Sequence, residues 1–263
     1  MRRITRTSSM SAISRSGFDR GPRPPYTGVV NFRDRLIGTL RVLQPVLEEP
    51  GVLVVGSEVP NLLEPGAACT LVVSQDIDLG VPVARLEAVK TRLGQIEGLV
   101  RSADEPSVYV PASPELIEAN FLGLDSRIHE ASETYVLEDA DLPLMVFGPL
   151  GLLRPGRVVE IEGLRVPLPR TADLIVEKLL TDRTGEKGVR DLLVVAGLLA
   201  SADSVDVDEF LRVTRGLSAE SRHAVRSSLT LLSLLDGHRG MPDPRSVRAQ
   251  VRRLLSAIED HHE

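Results

Sequence analysis

The sequence has no tryptophan, and only 3% of its 263 residues are aromatic. The core must therefore be aliphatic, and a stacking surface for single-stranded bases is not expected. The only cysteine, Cys69, excludes an internal disulfide and a cysteine-rich zinc cluster. One cysteine is typical of a reducing compartment, so we expect a cytoplasmic protein. No segment approaches the roughly 18 consecutive apolar residues of a membrane-spanning helix, and no membrane association is predicted.

The remaining composition is that of an ordinary globular chain. It is 42% hydrophobic and 26% charged, enough to bury a core in one large or two modest domains. A net charge of −6 disfavours unspecific binding to nucleic-acid phosphates as the main activity. Residues 1–27 are different, because arginines stand there among many Ser, Gly and Pro residues. We predict a disordered basic tail, although an organellar transit peptide has a similar composition.

Apolar periodicity organises the first half of the chain. Leucines at helical spacing predict a helix over Asn31–Glu49, and Val52–Val55 reads as a short buried strand that Gly56 ends. A short helix to about Leu63 follows. Thr70–Val73 and Ile77–Val81 are expected to form one strand or two short ones, and Pro82 then opens another helix. This alternation favours an α/β or α+β fold.

The second half divides near residue 171. Between Ser107 and Pro169, short apolar runs separated by turn signals predict strands, with hairpins at residues 154–156 and 162–163. From Thr171, read as a helix N-cap with Asp173 in the first turn, the pattern is helical to the end. We therefore expect a core over residues 28–170 and a helical domain over residues 171–263.

Two short motifs carry the chemistry. Asp76 and Asp78 are two residues apart on a predicted strand, so both carboxylates point to one face, roughly 6.6 Å apart along the strand. Hard divalent cations such as Mg²⁺ take oxygen ligands of this kind. Gly56 and Ser57 follow a buried strand, where backbone N–H groups and a hydroxyl can bind phosphate. Taken singly, the first motif is more often a solvated strand face and the second an ordinary turn.

The order of these motifs resembles the DNA polymerase β-like nucleotidyltransferase superfamily. Gly56-Ser57 followed by Ser74-x-Asp76-Ile77-Asp78-Leu79 is similar to its signature. The helical stretch from Leu174 to Arg183, with Lys178, and then Arg190-Asp191-Leu192, is similar to the AbiEii-like toxin branch. The implied fold is α+β, a nucleotidyltransferase-type mixed sheet flanked by helices and followed by a C-terminal helical domain.

The resemblance also implies roles for individual residues. Asp76 and Asp78 would bind the metal as catalytic residues, and Gly56 with Ser57 would contact the triphosphate. Lys178 and Asp191 would support binding of the nucleotide or the acceptor. Residue patterns leave other readings open: Lys178 as a side chain at the edge of an apolar helix face, and Asp191 as a helix N-cap or a partner of Lys178.

The resemblance also implies a third carboxylate on a neighbouring strand, which would activate the acceptor hydroxyl or complete the metal site. The best candidate is Glu118, which shares a strand face with Asn120. The alternative is that Asn120 stands at the place of that acid, where an amide cannot act as a base. A second acidic cluster, Glu138, Asp139 and Asp141, precedes Pro143 and reads better as a solvated turn.

The expected function is transfer of a nucleoside monophosphate from a nucleoside triphosphate, with Mg²⁺, to an RNA or protein acceptor. The toxin branch would add an antitoxin protein as partner. The alternative is a catalytically degenerate protein of this fold, which binds nucleotide or a partner without turnover.

Overall fold

A mixed β-sheet forms the centre of the structure, a computed structural model that describes residues 32–63, 76–181, 186–237 and 241–259. The strands are β1 (Leu53–Val55), β2 (Asp76–Pro82), β3 (Leu99–Arg101), β4 (Val108–Pro111), β5 (Glu118–Leu124), β6 (Tyr135–Leu137), β7 (Leu144–Val146), β8 (Pro155–Ile161) and β9 (Leu164–Pro169). The helices are α1 (Phe32–Val42), α2 (Gln44–Leu47), α3 (Val59–Leu63), α4 (Leu86–Leu93), α5 (Thr171–Leu180), α6 (Glu186–Ser201), α7 (Ser204–Gly216), α8 (Ala219–Leu234) and α9 (Pro244–Glu259). Short 3-10 helices cover Val83–Arg85, Ala131–Glu133 and Gly148–Leu152.

The sheet is mixed because β2 and β5 run parallel in its middle. Strand β1 pairs antiparallel with β2, and the path continues in the order β1-β2-β5-β4-β3. The far side of β5 has two neighbours: antiparallel β4 beside Ala119 and Asn120, and parallel β7 beside Leu122. Strand β6 pairs antiparallel with β7. Strands β8 and β9 form a separate hairpin.

Alternating side chains of β2 and β5 anchor one face of the sheet in the core. Ile77, Leu79, Ala119 and Phe121 are all buried there. They belong to the same hydrophobic core as buried residues of α1, α2 and α4. Because side chains of a strand alternate between faces, the polar residues between them point to the opposite face.

The C-terminal region is helical, as expected. Helix α5 follows β9 directly and packs against α6, α7 and α8, and α9 packs against α8. The predicted α+β class, with a mixed sheet flanked by helices and a helical C-terminal region, is confirmed. The boundary of a separate helical domain at residue 171 stays a prediction. Among the helices of the described ranges, none is long and apolar enough to cross a bilayer.

Several local expectations need correction. The helix predicted over residues 31–49 is divided into α1 and α2, and Thr171 is the first residue of α5 rather than its N-cap, which is Arg170. The turn predicted at residues 154–156 is wrong, because Pro155 and Gly156 lie in β8 and Pro155 pairs with Pro169. Strand β3 was missed. The basic tail of residues 1–27 and the strand at Thr70–Val73 lie outside the described residues.

One predicted hairpin is present. Glu162 and Gly163 connect β8 and β9, and both have positive φ angles, 51° and 79°. Two left-handed residues in a two-residue loop match the right-handed twist of the flanking strands, which explains the glycine at the second position.

Candidate active site

The register of β2 and β5 brings four polar residues onto one face of the sheet. Asp76 lies opposite Glu118, and Asp78 lies opposite Asn120. All four side chains are partly buried. The sequence placed Asp76 with Asp78 and Glu118 with Asn120. The structure joins the two pairs, which are about 40 residues apart, into a single group that we call the acid cluster.

The Asn120 amide connects the two aspartates. Its Nδ2 donates to Asp76 Oδ2 at 3.0 Å and to Asp78 Oδ1 at 3.1 Å. Its Oδ1 is buried and has no hydrogen-bond partner. Burial of this oxygen is unfavourable, because it has lost its hydrogen bonds to water and gains none from the protein. The cluster therefore has one oxygen left over for a further donor or a cation.

The glycine-serine turn adjoins the acid cluster. Val55 pairs with Asp78, so Gly56 follows directly beside that carboxylate. Gly56 has a φ of +90°, and a Cβ built on it would overlap Asp78 Oδ2. Only glycine satisfies both conditions, since it tolerates positive φ and has no side chain to clash. The predicted proximity of the Gly56-Ser57 turn to Asp78 is thus present, and Ser57 lies half-buried next to it.

Glu58, which follows this turn, was missed from the sequence. Its side chain is buried and accepts a hydrogen bond from Asn61 Nδ2 at 2.9 Å. A buried carboxylate at a strand-to-helix turn carries no signal in a single sequence, because its neighbours along the chain are ordinary loop residues. We assign it no role beyond fixing the turn through Asn61.

The acidity of Glu118, a member of the acid cluster, is perturbed by its surroundings. Burial raises the pKa of its carboxyl, and the nearby charges of Asp76, Glu105 and Asp78 raise it further. Both causes disfavour the charged form. A carboxylate with a raised pKa is a stronger proton acceptor than an ordinary surface glutamate.

Helix α1 anchors the beginning of the strand that carries Glu118. Arg35 donates from Nε and Nη2 to the Leu116 carbonyl at 3.2 and 2.9 Å. The Ile117 N–H donates to Thr39 Oγ1 at 2.8 Å in a buried position. These bonds join residues about 80 positions apart, and they fix the backbone immediately before Glu118. This support was not visible in the sequence.

The donor set fits a hard divalent cation. Asp76 and Asp78 supply carboxylate oxygens, and rotation of the Asn120 amide by half a turn would present Oδ1 to the same place. In the observed orientation the Asn120 amide nitrogen donates to both carboxylates. A cation bound between the carboxylates would instead favour the orientation in which Oδ1 faces it. Within the four described ranges, no group of three His, Cys, Asp or Glu side chains is gathered closely enough to hold a metal. The fit therefore depends on two aspartates and one amide.

Lys178 and Asp191 lie together, in the wall of a cavity of about 830 Å³. Lys178 Nζ is 3.1 Å from Glu177 Oε2 and 3.8 Å from Asp191 Oδ1. The Lys178 side chain is only 6% exposed, so it does not extend to solvent as an edge residue would. Asp191 lies inside α6 and is not an N-cap. The described lining of this cavity includes none of Gly56, Ser57, Asp76 and Asp78.

The second acidic cluster forms a turn, as expected. Asp139 Oδ1 accepts from the backbone N–H groups of Asp141 and Leu142, and its Oδ2 pairs with Lys90 Nζ at 2.9 Å. These bonds lower the pKa of Asp139 to about 2. They explain the residues locally, without a catalytic role.

Comparison with known proteins adds a resemblance in structure only. A candidate nucleotidyltransferase from H. pylori aligns with a TM-score of 0.34 at 15% identity, over 86% of this chain and 96% of that one. JHP933 from Helicobacter pylori gives a TM-score of 0.34 at 15% identity, over 85% and 92% of the two chains. The antibiotic-resistance factor ANT(2'')-Ia gives 0.29 at 15% identity, over 86% and 97%. These scores assign neither family nor function to this chain.

Sequence comparison gives no assignment either. No family model matches the chain, and no curated protein matches it significantly. The function must therefore be argued from the residues of the acid cluster and the turn beside it.

Proposed function

We propose that the chain is a nucleotidyltransferase, which transfers a nucleoside monophosphate from a nucleoside triphosphate to a hydroxyl-bearing acceptor. The observation that carries this proposal is the convergence of Asp76, Asp78 and Glu118 on one face, with the Gly56-Ser57 turn in contact with Asp78. A triphosphate needs a cation to offset its charge and a close approach of backbone; Asp76 and Asp78 would hold the cation, and Gly56 would allow the approach.

Each residue has a distinct part in the proposed reaction. Asp76 and Asp78 would hold Mg²⁺, with Asn120 Oδ1 as a neutral third ligand. The metal would neutralise charge on the phosphates and align the attacking and leaving oxygens. The Gly56-Ser57 turn would hold the phosphates at the β1 side of the acid cluster.

The transfer step balances with Glu118 as the proton acceptor. The acceptor hydroxyl oxygen forms a bond to the α-phosphorus while the bond between that phosphorus and the bridging oxygen to the β-phosphate breaks. Pyrophosphate leaves, and the hydroxyl proton goes to the Glu118 carboxylate. The raised pKa of Glu118 suits this task, since a carboxylate with a higher pKa is a stronger base.

Two successive assays test this function, the first of nucleotide binding and the second of nucleotidyl transfer. Purified protein is titrated with Mg²⁺ and a non-hydrolysable triphosphate, and its melting temperature is followed; the same protein is then incubated with labelled triphosphates and mixed acceptors. Asp76→Asn should remove both the metal-dependent stabilisation and the transfer of label. Asp141→Asn is the matched control, because Asp141 has an exposed carboxylate in a turn. Equal behaviour of the two variants would contradict the proposal.

A second candidate is favoured by Asn120. An amide, which can neither take a proton nor carry charge, lies between the two aspartates. A protein that binds nucleotide or a partner without turnover is consistent with an amide at this position. Stabilisation by Mg²⁺ and the triphosphate analogue without any transfer of label would favour this candidate.

The toxin role rests on the sequence resemblance around Lys178 and Asp191. We propose an RNA or protein hydroxyl as acceptor and an antitoxin as partner, with Lys178 and Asp191 supporting the nucleotide or acceptor. Expression of the wild-type chain is expected to arrest growth. The Asp76→Asn variant should not arrest growth, and the product of a neighbouring gene should relieve the arrest by the wild type. Unimpaired growth would remove the toxin role and leave the nucleotidyltransferase proposal standing.

A further inference from the structure

The face of the sheet that carries the acid cluster continues into an open aliphatic surface. Side chains directly opposite each other in a ladder share a face. Val108 pairs with Asn120, Leu122 with Met145, Met145 with Val136, and Val110 with Val100. We call these six aliphatic residues the apolar platform: Val100, Val108, Val110, Leu122, Val136 and Met145.

The platform is unusually exposed for aliphatic side chains in a sheet. Val100 is 57% exposed, Val136 46%, Met145 37% and Val110 36%. Their sequence neighbours on the other face, such as Leu99, Leu144 and Val146, are buried. The four exposed aliphatic side chains therefore share one face and lie on β3, β4, β6 and β7, on the side of β5 away from β2. A contiguous exposed apolar surface of this kind commonly marks a binding site.

The platform and the glycine-serine turn lie on opposite sides of the two aspartates. Gly56 follows β1, which borders β2 on one side, whereas the platform begins on β5 and extends outward over β4, β3, β7 and β6. In an in-line displacement, the attacking and leaving oxygens stand on opposite sides of the phosphorus. If the triphosphate lies at the β1 side, the acceptor approaches across the platform. This step rests on the proposed function.

The chemistry of the platform selects the class of acceptor. It contains no Lys, Arg or His, and Arg101, the cation within β3, belongs to the other face, where it pairs with Tyr109 in the ladder. Binding of an RNA backbone depends on cations, which the platform lacks, and stacking of successive bases depends on several aromatic side chains. One aromatic residue, Phe147, follows β7 two residues after Met145 and is 39% exposed. A polypeptide with apolar side chains fits such an uncharged surface without cations.

We propose that the apolar platform binds the acceptor, a protein segment whose Ser, Thr or Tyr hydroxyl is flanked by aliphatic residues. Strands are about 4.8 Å apart, so β4 lies roughly 10 Å from the aspartates on β2. An extended peptide covers that distance in about three residues. The aliphatic anchors of the acceptor should therefore be two to four residues from the hydroxyl that receives the nucleotide.

A peptide-transfer assay tests this assignment. Synthetic 13-residue peptides with one central Ser, Thr or Tyr, flanked by either aliphatic or charged residues, are incubated with labelled triphosphate, Mg²⁺ and the full chain; total RNA is offered in parallel. The double variant Val110→Asn with Met145→Gln makes the platform polar without adding charge near the triphosphate. Val205→Asn is the matched control, because Val205 is a solvent-facing valine on α7, 69% exposed and outside the platform.

The expected result is label on peptides with aliphatic flanks, with kcat/KM about tenfold lower for the double variant and unchanged for Val205→Asn. Nucleotide affinity, measured by metal-dependent thermal shift, should be equal in all three proteins. Three outcomes would overturn the acceptor assignment while leaving nucleotidyl transfer intact. They are label on RNA alone, label on all peptides regardless of their flanking residues, and an undiminished rate in the double variant. Absence of metal-dependent nucleotide binding in the wild type would instead reject the proposed function, and the acceptor assignment with it.

Discussion

Gly56 and Asp78 are so close that a methyl group on the glycine would overlap the aspartate carboxylate. The antiparallel pairing of Val55 with Asp78 holds them together. A phosphate bound at this turn would consequently lie beside the Asp78 carboxylate, with no side chain of residue 56 between them. The closeness of these two residues gives the sharpest test of the site.

Gly56→Ala should strongly reduce activity. The added methyl group displaces the Asp78 carboxylate, and a misplacement of about 1 Å lowers rates about 100-fold. The positive φ also destabilises an alanine, by about 1 kcal/mol. Transfer of label and urea unfolding measure the two effects.

Gly163→Ala separates the clash from the backbone strain. Gly163 has a φ of +79°, but a Cβ there meets no atom within 4 Å. We expect a similar loss of stability, about 1 kcal/mol, with unchanged activity. If Gly56→Ala binds nucleotide as well as Gly163→Ala does, the turn is not part of the site.

Asn120→Asp should convert the acid cluster into a stronger metal site. Without Mg²⁺, the variant loses two hydrogen bonds to carboxylates and gains a third negative charge, so the free energy of unfolding should fall by about 2 to 4 kcal/mol. With Mg²⁺, the extra carboxylate should raise the apparent affinity about tenfold, since ligand charge tunes such sites. Thermal melts in EDTA and over a Mg²⁺ titration provide the measurement.

Asn120→Ala separates the effect of the added charge in Asn120→Asp from the effect of losing the amide hydrogen bonds. It removes the same hydrogen bonds but adds no ligand, so its stability should fall without any gain in Mg²⁺ affinity. Mg²⁺ responses that are alike for the alanine and aspartate variants would argue against a cation at this place.

Glu118 should set the acid limb of the pH–rate profile. Because burial and neighbouring carboxylates raise its pKa, the rate should fall, as pH is lowered, at a pH above the ordinary value of 4.5. Below that pKa the carboxyl is protonated and cannot accept the acceptor proton. Glu118→Gln should lower kcat by about 100-fold to 10,000-fold and abolish the limb.

Glu105→Gln is the companion variant for this profile. Glu105 contributes to the raised pKa of Glu118 through its charge, so its neutralisation should move the acid limb toward 4.5 and leave kcat at the plateau nearly unchanged. A limb that stays in place in both variants would assign the proton transfer to another group.

Lys178 should be important for stability. Lys178→Met leaves the Glu177 and Asp191 carboxylates buried without their ammonium partner, and loss of one member of a buried ion pair costs about 3 to 5 kcal/mol. Urea unfolding of Lys178→Met, Asp191→Asn and the double variant gives the coupling energy. The double variant should lose less unfolding free energy than the two single variants lose together. Additive losses would show that the two residues do not act together.

Local patterns predicted much of the fold, because they report which face of an element is buried. Alternation of Asp76, Ile77, Asp78 and Leu79 predicted both a strand and the face of its carboxylates, and the two-residue turn at Gly163 predicted the hairpin. Strand β3, with three residues, is too short for periodicity to distinguish it from a loop.

Partners distant in sequence could not be found in this way. The pairing of β2 with β5 and the support of Ile117 by Thr39 both depend on how elements pack. A single sequence states which residues are polar, but it does not state which polar residues satisfy one another. For that reason the motif residues were predictable, whereas the Asn120 bridge and the apolar platform were not.

The alternation along β2 and β5 also has a consequence for folding. A slip of one residue between either strand and the core would bury the acid cluster against the helices and turn Ile77, Leu79 and Phe121 toward water. Burial of unpaired carboxylates is far more unfavourable than their exposure. The same charges that are suited to catalysis therefore penalise wrongly paired sheets, so neutralising them would be expected to loosen the choice of strand register as the chain folds.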